Sequence, residues 1–430
     1  MPSRHRSHAR ADAPRPGRPR SPEHLDSGGA GSLDSRPAMR AWGRSARCGT
    51  NGGERMTERS RRHGAAALGG SAAASRRRVL RGLAAASVLP WVAACGRGGE
   101  PDLPPPGTVG KAALLAPLSG PSAALGQVMR EAASLGGNPV GPMAEVEVLD
   151  AGTTDESAVA AARTALANGA RMLIGPLFSG QSRAVAAAVG RDVPVVSLSN
   201  DSAIAGGNLF VFGLAPVQSA QAVLGFAAAR GLRRVAVVVP PGEFGARSAA
   251  AAQAVAPSLG LALATPVVTD SAGGLVEAVT AASGGARPDA VYLPVVGRAF
   301  AGQAEALAGT GAQLLGSDQW SAIEPYRIPA LRGAWFAAPD PIRFEAFALA
   351  LEERVATEAG IVAGLAFDAV EMARLLGRLG QQDRDGLLRE GGFDGVLGPY
   401  RFLPSGQCER ALAVLNVAEG ATTLIGSPAA

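Results

Sequence analysis

The stretch K-A-A-L-L-A-P-L-S-G-P-S-A-A-L-G, residues 111–126, decides the fold. A short apolar run over 112–118 meets serine, glycine and proline and passes into a helical pattern over 122–135. So short a run suits a strand, and its unbroken apolar character suits a strand covered on both faces. The event repeats downstream. V-E-V-L-D (146–150) precedes an alanine-rich helix over 156–167, and R-M-L-I-G-P (171–176) precedes a helix over 181–189. V-P-V-V-S-L-S (193–199) closes that set. A second series runs through R-V-A-V-V-V-P (234–240), L-A-L-A-T-P (261–266) and D-A-V-Y-L-P-V (289–295), with helical segments between. Strands alternating with helices of this length make βαβ units around parallel sheets. The predicted fold class is α/β, with two Rossmann-like lobes and a first hinge near residues 213–221.

Charge separates the chain into two unlike parts. Of 430 residues, the first 94 carry 18 of the 41 basic side chains but 6 of the 36 acidic ones. From Cys95 onward there are 23 basic and 30 acidic residues, a net of −7. An acidic folded part argues against a nucleic-acid binder held by phosphate contacts. All four histidines (His5, His8, His24 and His63) precede Cys95. The usual general base at neutral pH is missing beyond that point, and with it Ser-His-Asp and Cys-His catalysis and His-ligated metal. Beyond Cys95 the one further cysteine is Cys408, so no disulfide framework forms within the chain. Neither metal nor cofactor is expected. With no nucleophile motif either, an enzyme is the least favoured class.

The leader explains the position of Cys95. S-R-R-R-V-L-R (75–81) is basic, and G-L-A-A-A-S-V-L-P-W-V-A-A (82–94) is apolar with small residues at its end. That is the layout of an export signal. Thirteen residues are too few to cross a bilayer as a helix. V-A-A-C resembles the bacterial lipobox, which makes Cys95 the expected lipidation site, and S-R-R-x-V-L-R resembles a twin-arginine signal. Residues 1–55 are read as disordered, and they go untranslated if Met56 is the start. Residues 56–94 form the lipoprotein signal peptide. Residues 95–108 are lipidated Cys95 and a flexible tether rich in glycine and proline. Gly96 after the cysteine resembles lipoproteins passed on to the outer membrane. The expected place is therefore the periplasm, anchored by lipid, at the outer membrane rather than the inner.

Further strings carry a family resemblance. I-G-P-L-F-S-G-Q-S-R-A-V (174–185), V-P-V-V-S-L-S-N-D (193–201), G-L-R-R-V-A-V-V-V-P-P-G-E-F-G (231–245), L-L-G-S-D-Q-W (314–320), A-F-D-A-V (366–370) and F-D-G-V-L-G-P-Y-R-F-L-P-S-G (393–406) occur in order. Together with 109–126 they resemble the type I periplasmic binding fold, and within it the penicillin-binding-protein activator lipoproteins. The resemblance implies two lobes joined by a three-crossover hinge, with a ligand cleft between them. It places 109–215 with about 339–390 in the N-terminal lobe, and 216–338 with about 391–428 in the C-terminal lobe. The helical region of 341–380 and strands near 399–403 and 410–416 are then the chain crossing back.

By the same resemblance, hydroxyls at strand ends hold a ligand's carboxylate and an acidic group holds its ammonium. The matching positions are Ser119, Ser179, Ser199, Asn200, Asp201 and Phe244 on the cleft and Asp318 as the carboxylate. Ser179 opens a helix, whose free N–H groups suit an anion. Ser179 and Ser199 read equally well as cap and turn residues, and Asp318 equally as a capping carboxylate. Trp320 and Trp335 read as packing residues, and Cys408 as a small buried side chain. The clamp also departs from the amino-acid binders. Phe244 stands where many have tyrosine, Leu125 replaces an aromatic, and Gly297 lies where another is expected. The favoured function is a cell-envelope lipoprotein acting as a non-catalytic binding and regulatory module, with a peptidoglycan synthase as partner. The alternative is the substrate-binding lipoprotein of an ABC importer for an amino acid or similar small solute, with a permease as partner.

Overall fold

A computed structural model describes residues 109–136, 144–355 and 359–427. The leader, Cys95 and the tether lie outside the described residues.

The first lobe is built from β1 (Lys111–Ala116), α1 (Ala123–Leu135), β2 (Val146–Asp150), α2 (Asp155–Ala167), β3 (Ala170–Ile174), α3 (Ser179–Ala188), β4 (Val195–Ser197) and β5 (Leu209–Val211). Its sheet has the order β2-β1-β3-β4-β5, and every pairing is parallel. Both faces are covered, as the unbroken apolar runs require. Leu114 and Ala116 enter one core, while Ala113 and Leu115 enter another against α2 and α3. Thr154 caps α2 by accepting from the Ser157 N–H, and Asp155 and Glu156 occupy the positive first turn.

The second lobe repeats the plan with α4 (Pro216–Ala229), β6 (Arg234–Val239), α5 (Glu243–Val255), β7 (Ala262–Leu263), β8 (Val267–Val268), α6 (Leu275–Ala282), β9 (Ala290–Leu293), α7 (Phe300–Ala308), β10 (Gln313–Gly316) and β11 (Trp335–Ala338). The chain returns through α8 (Pro341–Glu352), α9 (Ile361–Leu379) and α10 (Arg384–Leu387). It ends in β12 (Tyr400–Phe402), β13 (Cys408–Arg410), β14 (Ala413–Val417) and β15 (Thr422–Gly426). The second sheet runs β15-β14-β11-β10-β9-β6-β7, with β8 also paired to β6 and with β14 and β15 antiparallel. The chain passes between the sheets three times: after β5, after β11, and before β14. In both sheets the first strand lies between the second and a later one, β1 between β2 and β3 and β6 between β7 and β9. The order thus reverses beside β1 and beside β6, and open α/β sheets bind ligands at the carboxyl ends of strands at such points.

Several details differ from the sequence reading. Of the run at 261–266 only Ala262–Leu263 forms a strand, and β8 follows after Pro266, which lacks the N–H that would continue the ladder. The helical region at 341–380 is two helices, separated by a segment whose end, Gly360, is the extended N-cap of α9. Strands β5, β10 and β11 hold four residues or fewer, too short for periodicity to register. Residues 393–410, which the resemblance places with the second lobe, pack on β5 of the first sheet. There the Val211 N–H donates to the Gly406 carbonyl at 2.7 Å, and the Phe402 ring meets Phe210 edge-on at 5.5 Å.

A buried ion pair fixes that segment to α9. Arg410 Nη1 lies 3.0 Å from Asp368 Oδ2, and the same carboxylate accepts from the Val396 N–H at 2.7 Å. The guanidinium stands 4.6 Å from the rings of both Phe212 and Tyr400. Burial raises the Asp368 pKa, while the Arg410 charge pulls it back. Trp320 is fully buried and donates to the Leu293 carbonyl, a packing role as expected. Cys408 is buried and unpaired, and loss of water pushes its pKa up to about 12.

Candidate functional site

A cleft of about 620 Å³ lies between the strand ends of the two lobes. The first lobe contributes the loop after β3 and the start of α3 (Leu177, Phe178, Ser179), the loop after β4 (Leu198, Ser199, Asn200, Asp201) and the first turns of α9 (Ile361, Val362, Leu365). The second contributes Glu243 and Arg247 from α5, Val296 after β9, and Asp318, Gln319 and Ala322 after β10. Five of the seven expected residues line this one space.

Ser179 is the first residue of α3, and Phe178 at the N-cap offers no side-chain acceptor. The N–H groups of that first turn have no acceptor inside the helix and are available to an anion. The Ser199 hydroxyl accepts from the Asp201 N–H at 3.1 Å, and the Asp201 carboxylate caps the next turn through the Ala203 N–H at 3.2 Å. These two residues therefore serve the local turn while they face the cleft, so their capping and lining roles coexist.

Asp318 opens the short turn after β10. Its carboxylate accepts the Ser219 hydroxyl from α4 at 2.5 Å. The surroundings strip it of water, and that desolvation, only partly offset by the Ser219 bond, pushes its pKa up to about 6. No cationic side chain pairs with it among the described residues. A half-buried, poorly solvated carboxylate in this condition gains most from an ammonium group, which restores the lost solvation by direct pairing.

Ser119 and Phe244 lie outside the cleft lining. The Ser119 hydroxyl instead bonds the Asp150 carboxylate at the end of β2. Burial there acts to raise the Asp150 pKa, but bonds from Gly152, Ser119 and Leu118 outweigh it and leave the pKa lowered. Phe244 turns its ring toward Arg247, 5.7 Å away, and its neighbour Glu243 meets the cleft. A Cβ at Gly297 would meet nothing within 4 Å.

Sequence reasoning missed Arg247, Glu243 and Gln319. The first carries a visible signal: Arg247 follows Phe244 by one helical turn in E-F-G-A-R, on the same face. The apolar side of the cleft from α9 carries none, because nothing local says that residues 361–365 return to meet residues 177–201.

Comparison with solved structures finds this fold in other proteins. A Rhodospirillum rubrum protein described as a branched-chain amino acid ABC transporter matches with a TM-score of 0.62 at 23% identity, over 74% of this chain and 100% of that one. The C-domain of Haemophilus influenzae LpoA, a regulator of PBP1A, matches at 0.59 and 19% identity, over 73% of this chain and 99% of that one. Full-length LpoA matches at 0.59 and 18% identity, with 74% of this chain covering 59% of its length. At these identities the likeness is one of fold. A search of curated protein sequences finds no match. Among the described residues no helix is long and apolar enough to cross a membrane. Residues 110–422 match the family model for periplasmic binding proteins, and the chain belongs to that family.

Proposed function

We propose that this protein is a non-catalytic receptor of the cell envelope that closes its two lobes on a small solute carrying a protonated amine. The observation that carries the reading is Asp318, a desolvated carboxylate on the cleft wall with no cationic side chain against it. The charge of the cleft points the same way. Its lining holds Asp201, Glu243 and Asp318 against the single base Arg247, which is already paired with Asp201. Ser179 and the first turn of α3 supply a place for an anionic or polar end of the solute. Lipid on Cys95 and the tether after it hold the receptor at the periplasmic face of a membrane. This is the role of a solute-binding component that presents its closed form to a permease.

A second reading is a regulator of a peptidoglycan synthase that uses the same fold as a protein-interaction module. The loss of aromatic side chains at Leu125 and Gly297, and of a tyrosine hydroxyl at Phe244, favours it, since an amino-acid clamp without them grips a small amino acid less well.

The test is thermal unfolding of the purified chain with amino acids, simple amines and cell-wall peptides. A true ligand at a hundred times its dissociation constant adds about 2.7 kcal/mol. The midpoint then rises by a few degrees. Pairing with the ammonium needs ionised Asp318, so affinity falls about tenfold per pH unit as pH drops below about 6. No shift with any amine or amino acid removes the receptor reading and leaves the protein-interaction module.

A further inference from the structure

Asp201 and Arg247 stand on opposite walls of the cleft. Asp201 follows β4 of the first lobe, and Arg247 lies in the second turn of α5 in the second lobe. Arg247 Nη1 reaches Asp201 Oδ1 at 3.1 Å. Among the described residues no other ion pair joins a loop of the first sheet to a helix following a strand of the second. The side chains are 32% and 16% exposed, so water and salt screen the pair less than they screen a surface bridge. Each partner is also held by contacts of its own. The Ser199 hydroxyl fixes the Asp201 backbone, the Ala203 N–H fixes its carboxylate, and the Phe244 ring lies beside the guanidinium. A prepositioned pair loses little side-chain freedom when it closes, which removes the usual reason that ion pairs contribute nothing.

We propose that Asp201 and Arg247 form a latch between the lobes, an ion pair that must break before the cleft opens. The latch is made of the protein's own side chains and holds whether the occupant is a solute or another protein. It adds a control step to either function. Arg247 also lines the cleft, so its guanidinium lies within reach of an occupant. An occupant bearing a carboxylate competes with Asp201 for the same group and loosens the latch as it enters.

Hydrogen–deuterium exchange on the purified chain tests this directly. Asp201→Asn keeps the cap on Ala203 and removes the charge, and Arg247→Met keeps the packing on Phe244 and removes the charge. Each variant should speed amide exchange about three- to tenfold at 177–182 and 244–248, while α2 and α7 exchange as in the parent. Raising salt from about 0.05 M to about 1 M should speed the same amides in the parent and leave the variants unmoved. Parent-like exchange at the cleft in both variants overturns the latch. So does a salt response that persists in the variants. These outcomes need no ligand, so failure of the latch and failure of the receptor reading are read separately.

Discussion

Burial holds the Asp318 carboxylate at a pKa of about 6, well above its ordinary range near 3.8. A raised carboxylate pKa means that the folded state favours the proton. Its contribution to stability is complete below about 4 and is lost as pH rises through about 6. Asp318→Asn keeps an acceptor for the Ser219 hydroxyl and avoids the desolvated charge. It should raise the unfolding free energy by about 2–3 kcal/mol at neutral pH, with the gain vanishing near pH 4. Chemical denaturation at the two pH values checks this. The same variant should lose the thermal shift given by an amine. A stabilised variant that still binds would assign Asp318 to the fold alone.

At the scale of elements, the two lobes share a close contact that local propensity does not predict. In the first lobe, a Cβ at Gly126 on α1 would fall 2.1 Å from the carbonyl oxygen of Pro117, just past β1. In the second, a Cβ at Gly245 on α5 would fall 2.0 Å from the carbonyl oxygen of Pro240, just past β6. Each first helix thus rests directly on the backbone that ends the first strand, and this sets the strand-to-helix loops that form the cleft. Alanine is the better helix former by about 1 kcal/mol, so propensity alone says that Gly245→Ala stabilises. The contact says the reverse. Displacing α5 from β6 should cost about 1–3 kcal/mol net, as overpacking does elsewhere. Urea unfolding decides between the two signs. Because α5 carries Glu243 and Arg247, the same change should disturb the cleft as well.

At the scale of the whole molecule, one apolar core runs through both lobes. It joins Leu114, Met172 and Phe210 of the first sheet to Val237, Tyr292 and Ala337 of the second, with Val223 and Leu224 of α4 in the same cluster. Side chains of α9 in the return segment, such as Leu365 and Leu376, belong to it too. Lobes that share a core this way should unfold together. Calorimetry should give one transition with calorimetric and van't Hoff enthalpies that agree. Two resolved transitions would show that the shared core does not couple the lobes. The three passages of chain between the sheets work in the same direction, since neither lobe is complete until the chain has returned to it.

The sequence by itself determined the α/β class, the two series of strands and helices, and the acidic, histidine-free character of the folded part. These properties depend on nearest neighbours along the chain: apolar runs too short for helices, punctuation by proline and glycine, and charge composition. Ser179, Ser199, Asn200 and Asp201 were also legible from the strands they follow, and Asp318 from the resemblance carried by L-L-G-S-D-Q-W. Only the tertiary structure decided that these five share one space, that Ser119 instead bonds Asp150, and that Arg247 spans to Asp201. It alone placed residues 393–410 on β5 and tied Arg410 to Asp368. Those outcomes depend on contacts between segments tens to hundreds of residues apart, such as Gln218 with Cys408 or Ser219 with Asp318. A local pattern records what each segment buries, and the partner it buries against is settled only when the whole chain has closed on itself.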